Sequence, residues 1–114
     1  MTLEVIISKL ELIPLTKLQD FSSINPSQGY VSDMLSCVMT GAKQGSIWVT
    51  LQAHNNIVAV AKLLDISAVI ISEDAQPDSA TIEKANEEEV ILLSSPENSF
   101  NIVGKLWDLG LRDK

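Results

Sequence analysis

The stretch from Ser46 to Ile71 constrains the fold more than any other part of the sequence. It contains a β-branched run at 47–50, a polar turn, an apolar helical pattern and a second apolar run at 68–71. Two buried strands joined by a helix form a βαβ unit, and this connection belongs to parallel sheets. We therefore predict that the two runs are neighbouring central strands of a parallel sheet.

The helix predicted at 57–64 is apolar on nearly every side. Only Lys62 interrupts it, so we expect the helix to be covered on more than one side. Ala59 is expected to be buried there, and an unpaired buried charge commonly costs several kcal/mol. The substitution Ala59→Asp is therefore expected to unfold the domain.

Strand-like apolar runs recur in the second half of the chain, and a helical pattern follows each of them. The runs begin at Ile47, Ala68 and Val90. The second helix is predicted at 78–88, with Asp78 as its N-cap. The third helix is predicted to open with Ser95 as its cap and Pro96 at its first helical position.

The first 45 residues are less regular. Leu3–Leu10 has the apolar spacing of a short helix, and Pro14 marks 12–15 as an edge segment. Tyr30 and Val31 are expected to add a short strand. Ser32 is then predicted to cap a helix that runs from 33 to 42.

These elements predict an α/β fold, a single small domain whose parallel or mixed sheet is built from repeated strand–helix units and flanked by helices. Residues 1–45 supply the N-terminal helix, the edge segment and a further helix, and residues 46–110 supply three strand–helix units. The length of 114 residues and the apolar fraction of 46% fit one modest core. We therefore treat 1–114 as one domain, with two or three layers.

The net charge of −7 is unevenly distributed. Seven acidic residues lie between Glu73 and Glu89, against the single lysine Lys84. Such a face repels phosphate backbones, so nucleic acid is not an expected partner. We interpret the face as solvated surface that aids solubility. A docking patch for a basic partner is the alternative.

Several features predict a cytoplasmic protein that does not associate with membranes. No apolar run approaches the roughly 18 residues of a membrane span, and the opening residues lack the basic start of a signal peptide. The single cysteine, Cys37, excludes an internal disulfide and fits a reducing compartment. Because its neighbours are apolar, we interpret Cys37 as a small core residue.

The polar turn at 52–56 is the main candidate site, because it joins the carboxyl end of a strand to the amino end of a helix. His54 could bind an anion or donate a proton there, or it could be a cap or a surface residue. Serines that follow the next two strands should lie on the same rim of the sheet, where capping is the alternative role. The predicted ligand-binding residues are Thr50, Gln52, His54, Asn55, Asn56, Ser72 and Ser94.

The sequence carries no recognisable catalytic or metal-binding motif. One cysteine and one histidine cannot form a structural zinc site. No serine or cysteine has a nearby partner typical of an activated nucleophile. The segment GAKQGS at 41–46 lacks the residue order of a phosphate loop and precedes a strand. We expect no catalytic residues, no metal and no cofactor, and a rim that holds a small anion or nucleotide without transforming it.

Three segments resemble stand-alone bacterial and archaeal proteins of the DRTGG-domain family. They are GYVSDMLS at 29–36, WVTLQ at 48–52 and HNNIVAVA at 54–61. Later stretches are similar too, so the resemblance covers nearly the whole chain from Gly29. The Asp-Arg-Thr-Gly-Gly motif itself is absent. The corresponding turn reads QAHNN, so the role of an arginine in that turn does not carry over.

The resemblance implies an α/β module related to the amino-terminal domain of HPr kinase/phosphorylase. Similar modules occur in some regulated inorganic pyrophosphatases and phosphotransacetylases, where they are regulatory or structural and contribute to dimer contacts. A kinase activity does not fit, because the chain has no phosphate loop. We expect a non-catalytic regulatory, ligand-sensing or interaction module that acts as a homodimer, with an interface of more than roughly 1,000 Å².

Two alternatives remain, a small enzyme or a subunit of a larger complex, either of which would use the His54 rim for a phosphorylated ligand. An enzyme would need a pocket in which His54 meets a second titratable group.

Overall fold

The computed structural model describes residues 1–112, which form a five-stranded mixed sheet between two layers of helices. The helices are α1 (Leu3–Leu10), α2 (Leu35–Gly41), α3 (Asn56–Leu63), α4 (Ser79–Glu87) and α5 (Ser99–Asp108). The strands are β1 (Ile13–Pro14), β2 (Gly29–Val31), β3 (Ile47–Thr50), β4 (Ala68–Ile71) and β5 (Leu92–Ser94). Their order is β1-β5-β4-β3-β2, with β1 antiparallel and the other four parallel. The predicted α/β fold is confirmed, and β3 and β4 are adjacent and parallel as predicted.

Side-chain alternation along the strands separates two apolar cores. Ile47 and Val49 pack on the face that carries α1 and α5, whereas Trp48 packs on the face that carries α2, α3 and α4. Every residue of β3 and β4 is buried, as expected for strands covered on both faces. The domain therefore has three layers.

Helix α3 packs on the sheet and also contacts α2 and α4. Its buried side is formed by Ile57, Val58, Val60 and Ala61. Ala59, in contrast, is exposed, so the prediction that Ala59 is buried is wrong. Because nearly every residue of this helix is apolar, its sequence pattern does not show which side faces solvent.

Helix α2 begins later than predicted, at Leu35. Its N-cap position is Met34, which makes no side-chain cap hydrogen bond. The Ser32 hydroxyl oxygen accepts a hydrogen bond from the Met34 amide at 3.1 Å, so Ser32 shapes the turn before the helix. Cys37 is exposed on α2, which corrects its interpretation as a core residue.

Helix α5 also begins later than predicted, at Ser99. Asn98 is its N-cap and accepts from the Asn101 amide at 2.8 Å. Ser95 lies before the helix start, where its hydroxyl oxygen accepts from the Glu97 amide at 3.1 Å and its own amide donates to the Ile71 carbonyl at 3.0 Å, continuing the ladder of the sheet. The predicted cap of α4 is confirmed, since Asp78 accepts from the Thr81 amide at 2.8 Å.

Within residues 1–112, no helix has the length and apolarity needed to cross a membrane.

Candidate ligand-binding rim

The carboxyl ends of the four parallel strands lie together at one end of the sheet, here called the rim. The loops that leave it are 32–34 after β2, 51–55 after β3, 72–78 after β4 and 95–98 after β5. All seven predicted ligand-binding residues lie at this rim or in these loops. The structure divides them into three groups with different surroundings.

The first group is organised by Asp33, which sequence reasoning had placed inside a helix. The Thr50 hydroxyl donates to Asp33 Oδ1 at 2.8 Å, and the Leu51 amide donates to the same oxygen at 2.8 Å. The Gln52 side-chain amide donates to the Asp33 carbonyl at 3.2 Å. Thr50 is fully buried, so its hydroxyl depends on this partner. Thr50 and Gln52 therefore tie the end of β2 to the end of β3.

The second group is the turn that opens α3. His54 is exposed, and its Nδ1 accepts from the Asn56 amide at 3.1 Å. An accepting Nδ1 places the proton of the neutral imidazole on Nε2. The N-cap residue Asn55 makes no side-chain cap hydrogen bond and is also exposed. His54 thus caps the helix through one nitrogen and keeps an N–H donor on the other.

Asp78, the cap of α4, shares this electrostatic environment. Hydrogen bonds from the Thr81 amide and the Thr81 side chain hold the pKa of Asp78 below its ordinary value, against an opposing effect of desolvation, and the charge of a protonated His54 lowers this pKa by the smallest amount. An anion at the His54 turn would therefore have a carboxylate as a neighbour.

The third group, Ser72 and Ser94, lies at the ends of β4 and β5, whose following helices pack on opposite faces of the sheet. The loop after β4 leads to α4 on one face, and the loop after β5 leads to α5 on the other. Open parallel sheets bind ligands in the crevice between two such diverging loops. The sequence placed Ser72 and Ser94 at the rim but did not show that these two loops diverge, because the spacing of strands and helices does not reveal on which face each helix packs.

Hydrogen bonds within the protein close much of this crevice. The hydroxyl oxygens of Ser72 and Ser99 lie 2.7 Å apart, and Ser94 Oγ accepts from the Gln76 side chain at 3.4 Å. Two backbone bonds join the loops, from the Glu73 amide to the Glu97 carbonyl at 2.8 Å and from the Asp74 amide to the Ser95 carbonyl at 3.0 Å. Ser72 and Ser94 are buried and stabilise the loop pair.

The tip of the loop after β4 has an unusual backbone. Glu73 and Asp74 both have a φ of 58°, in the left-handed region that normally favours glycine. The Ala75 amide donates to the Ser72 carbonyl at 3.2 Å across this turn. Both acidic side chains are exposed, so the turn adds negative charge to the rim.

The described geometry offers binding groups more readily than catalytic ones. Ser72 meets another serine, and His54 Nδ1 is engaged by a backbone amide, so neither forms a nucleophile–base pair. Within residues 1–112, no cluster of three or more metal-ligating side chains occurs. An apolar cavity of about 200 Å³ lies away from the rim, between β2 and α5.

No family model matches the sequence, and neither does any curated protein. A similar solved structure is that of the CBS and DRTGG domains of the regulatory region of Clostridium perfringens pyrophosphatase, complexed with the activator diadenosine tetraphosphate. It superposes with a TM-score of 0.74 at 18% sequence identity, covering 92% of this chain and 45% of that one. The chain thus spans less than half of the matched chain. The chain has a DRTGG-type fold, which confirms at the level of the fold the resemblance seen in its sequence.

Proposed function

We propose that residues 1–114 form one non-catalytic regulatory module, a cytoplasmic homodimer that senses a small anion or nucleotide. The observation that carries this proposal is the fold, which is shared with a regulatory region solved with a nucleotide activator. A small enzyme is the weaker candidate, because the only histidine and the buried rim serines are engaged by non-catalytic partners.

The proposed ligand contact is the His54 turn. The positive end of the α3 dipole and an outward Nε2–H can both attract a phosphate oxygen. The exposed side chains of Asn55 and Asn56 offer further donors. Thr50 and Gln52 stabilise the start of the turn through their hydrogen bonds to Asp33.

Neighbouring charges limit the affinity. The carboxylates of Glu73, Asp74 and Asp78 lie in the rim loops, and the net charge of −7 opposes anions in general. Protonation of His54 favours an anion but removes the acceptor used by the Asn56 amide. We therefore expect modest affinity for a small ligand, with binding that strengthens only moderately when the imidazole is protonated.

Titration calorimetry against adenine nucleotides, diadenosine tetraphosphate, inorganic phosphate and phosphorylated metabolites tests the proposal. His54→Ala should weaken binding by roughly 1–2 kcal/mol, toward the lower end of the roughly 1.5–3 kcal/mol of a hydrogen bond to a charged group, because His54 is exposed. His54→Asn is the matched variant, because its side-chain oxygen can still cap the Asn56 amide but it has no group at the Nε2 position. It should lose ligand affinity while keeping the thermal midpoint.

The outcomes separate the candidate functions. Binding that is indifferent to both His54 variants would refute the rim as the site. Absence of binding to every compound would leave an interaction module without ligand sensing. Turnover of a bound nucleotide that His54→Ala abolishes would favour the enzyme.

A further inference from the structure

The two edges of the sheet differ in how they are protected. Natural proteins guard exposed edges with short strands, proline or charge. The outer edge β1 has two residues, one of them Pro14. The opposite edge β2 consists of Gly29, Tyr30 and Val31, and has neither proline nor charge. It is therefore open to a further strand.

The register of β2 shows which groups face outward. The Ile47 amide donates to the Gln28 carbonyl at 2.7 Å, and the Ser32 amide donates to the Val49 carbonyl at 3.3 Å. In a parallel ladder with this pairing, the backbone groups of Tyr30 also point toward β3. The N–H and C=O of Gly29 and Val31 therefore point away from the sheet, giving two donors and two acceptors.

A cavity lies beside this edge. It has a volume of about 200 Å³ and is bounded by β2 and α5, with Val103, Leu106 and Trp107 among its lining residues. This volume is below the roughly 300–1,000 Å³ of small-molecule sites. Gly29 and Val31 also line the cavity, so a strand added to β2 would direct side chains into it.

Exposed apolar side chains flank the edge on both faces of the sheet. On α5, Trp107 lines the cavity beside β2 and is 56% exposed. On α2, Met34 is 63% exposed and Met39 is 48% exposed. Apolar surface on both sides of an open edge is typical of an interaction site, and methionine adapts its packing to a partner.

The segment that contains β2 carries little charge, and the one charged residue that lines the cavity, Arg112, stacks its guanidinium on the Trp107 ring at 5.0 Å from the centroid. Between residues 21 and 42 the only charged residue is Asp33, and its carboxylate is engaged by Thr50 and Leu51. Charged residues are depleted in the cores of protein interfaces. The acidic segment 73–89 belongs to the loop after β4 and to α4, two strands away from β2, so it does not oppose self-association there.

We propose that a second copy of the chain pairs through β2, antiparallel about a two-fold axis at Tyr30. Gly29 then lies opposite Val31 of the partner subunit, and all four outward backbone groups of each copy's β2 are paired. The partner's Val31 side chain lies over Gly29, where the missing side chain leaves room in the cavity. The two sheets join into one of ten strands.

A second copy fits this surface better than a lone peptide strand. A peptide would pair with β2 and fill the cavity, but it would leave the apolar residues of α2 and α5 exposed. A two-fold axis brings α5 next to α5 of the other copy and α2 next to its counterpart. The inference rests on the homodimer of the proposed function and specifies its interface.

The test compares the same substitution at the two edges of the sheet. Val31→Lys and Ile13→Lys each place a charge at a partly exposed edge residue, in β2 and β1 respectively. In sedimentation velocity over roughly 1–100 µM, Val31→Lys should weaken dimerisation at least about tenfold, and Ile13→Lys should leave it unchanged. Val31→Pro should also weaken it about tenfold, because each copy loses an outward donor and no hydrogen bond within the subunit.

Amide exchange followed by NMR provides a readout in the unmodified protein. The amides of Gly29 and Val31 should be protected at high concentration and exchange faster on dilution, whereas the Tyr30 amide should stay protected in the monomer. Circular dichroism and thermal midpoints show that the variants remain folded.

Each outcome decides the proposal. Val31 variants that stay dimeric would refute pairing through β2 while leaving the homodimer in place. A wild-type protein that stays monomeric throughout the concentration range would refute both the homodimer and its pairing through β2. Ligand sensing would still be judged by calorimetry. A monomer that protects the Gly29 and Val31 amides only with an added extended peptide would replace the second copy with a heterologous strand.

Discussion

Removal of the Asp33 carboxylate tests whether the end of β2 is held to the end of β3 as described. In Asp33→Ala, the Thr50 hydroxyl and the Leu51 amide lose the acceptor that each contacts at 2.8 Å. Hydrogen bonds to charged groups contribute about 1.5–3 kcal/mol each, and a buried donor without a partner costs about 1–3 kcal/mol. Asp33 is itself exposed, so water replaces part of the loss for Leu51.

We therefore expect Asp33→Ala to lower the free energy of unfolding by about 2–3 kcal/mol. Asp33→Asn, which keeps an acceptor without its charge, should cost roughly 1 kcal/mol. Urea unfolding at one fixed protein concentration measures both, since the stability of a dimer depends on concentration. With a slope of about 1.5 kcal/mol/M, Asp33→Ala should shift the midpoint by about 1–2 M.

The partner substitution Thr50→Val completes a double-mutant cycle. Once the Thr50 hydroxyl is gone, Asp33→Ala no longer leaves a buried donor unsatisfied, so its cost should fall by about 1–2 kcal/mol. Costs that add without coupling, or an Asp33→Ala protein within about 0.5 kcal/mol of wild type, would show that Asp33 does not hold the ends of β2 and β3 together. The Thr50 hydroxyl would then be satisfied in another way.

Two further predictions concern α3 and α4. Ala61→Asp should destabilise the domain by about 3–5 kcal/mol, because Ala61 is buried. Ala59→Asp, two residues away on the exposed side of α3, should cost less than about 0.5 kcal/mol. Equal midpoints of the two variants in thermal unfolding would contradict this orientation of α3. Because its folded pKa is lowered from 3.8, Asp78 should stabilise the fold above that pH and lose this contribution as the pH falls through the lower value. The stability difference between wild type and Asp78→Asn should therefore shrink in acid, and a difference independent of pH would count against the cap.

The parts of the fold that follow from local pattern were predictable. Strand β3 is a mostly β-branched run that ends in Thr50, and β4 is an uninterrupted apolar run. The cap at Asp78 is a local signal that needs only its own helix. The edge position of β1 followed from Pro14. In each case the deciding interaction lies within a few residues along the sequence.

The errors share a different origin. Ser32 and Ser95 have the sequence pattern of helix caps, but neither caps a helix. Their backbone amides donate to residues far along the chain, Ser32 to β3 and Ser95 to β4, and these bonds keep both serines in the sheet ladder. Ala59 and Ala61 cannot be told apart by composition in a helix that is apolar nearly all round. Asp33 was read as a first-turn residue, although its partners Thr50 and Leu51 lie far along the chain. Long-range contacts override local preference at these positions.

Asp33 also lies between the two proposed surfaces. It lies in the loop after the edge strand β2, separated from Val31 by Ser32, and its hydrogen bonds reach Thr50, Leu51 and Gln52, which lead into the His54 turn. A ligand that shifts this turn would act on the end of β2, where the second copy is proposed to bind. Binding free energies are reciprocal, so a ligand that strengthens dimerisation by some factor must itself bind the dimer more tightly by the same factor. Regulation by such a module would then need no catalytic group. It would need only a connection between the His54 turn at the rim and the edge strand β2, and the hydrogen bonds of Asp33 provide one.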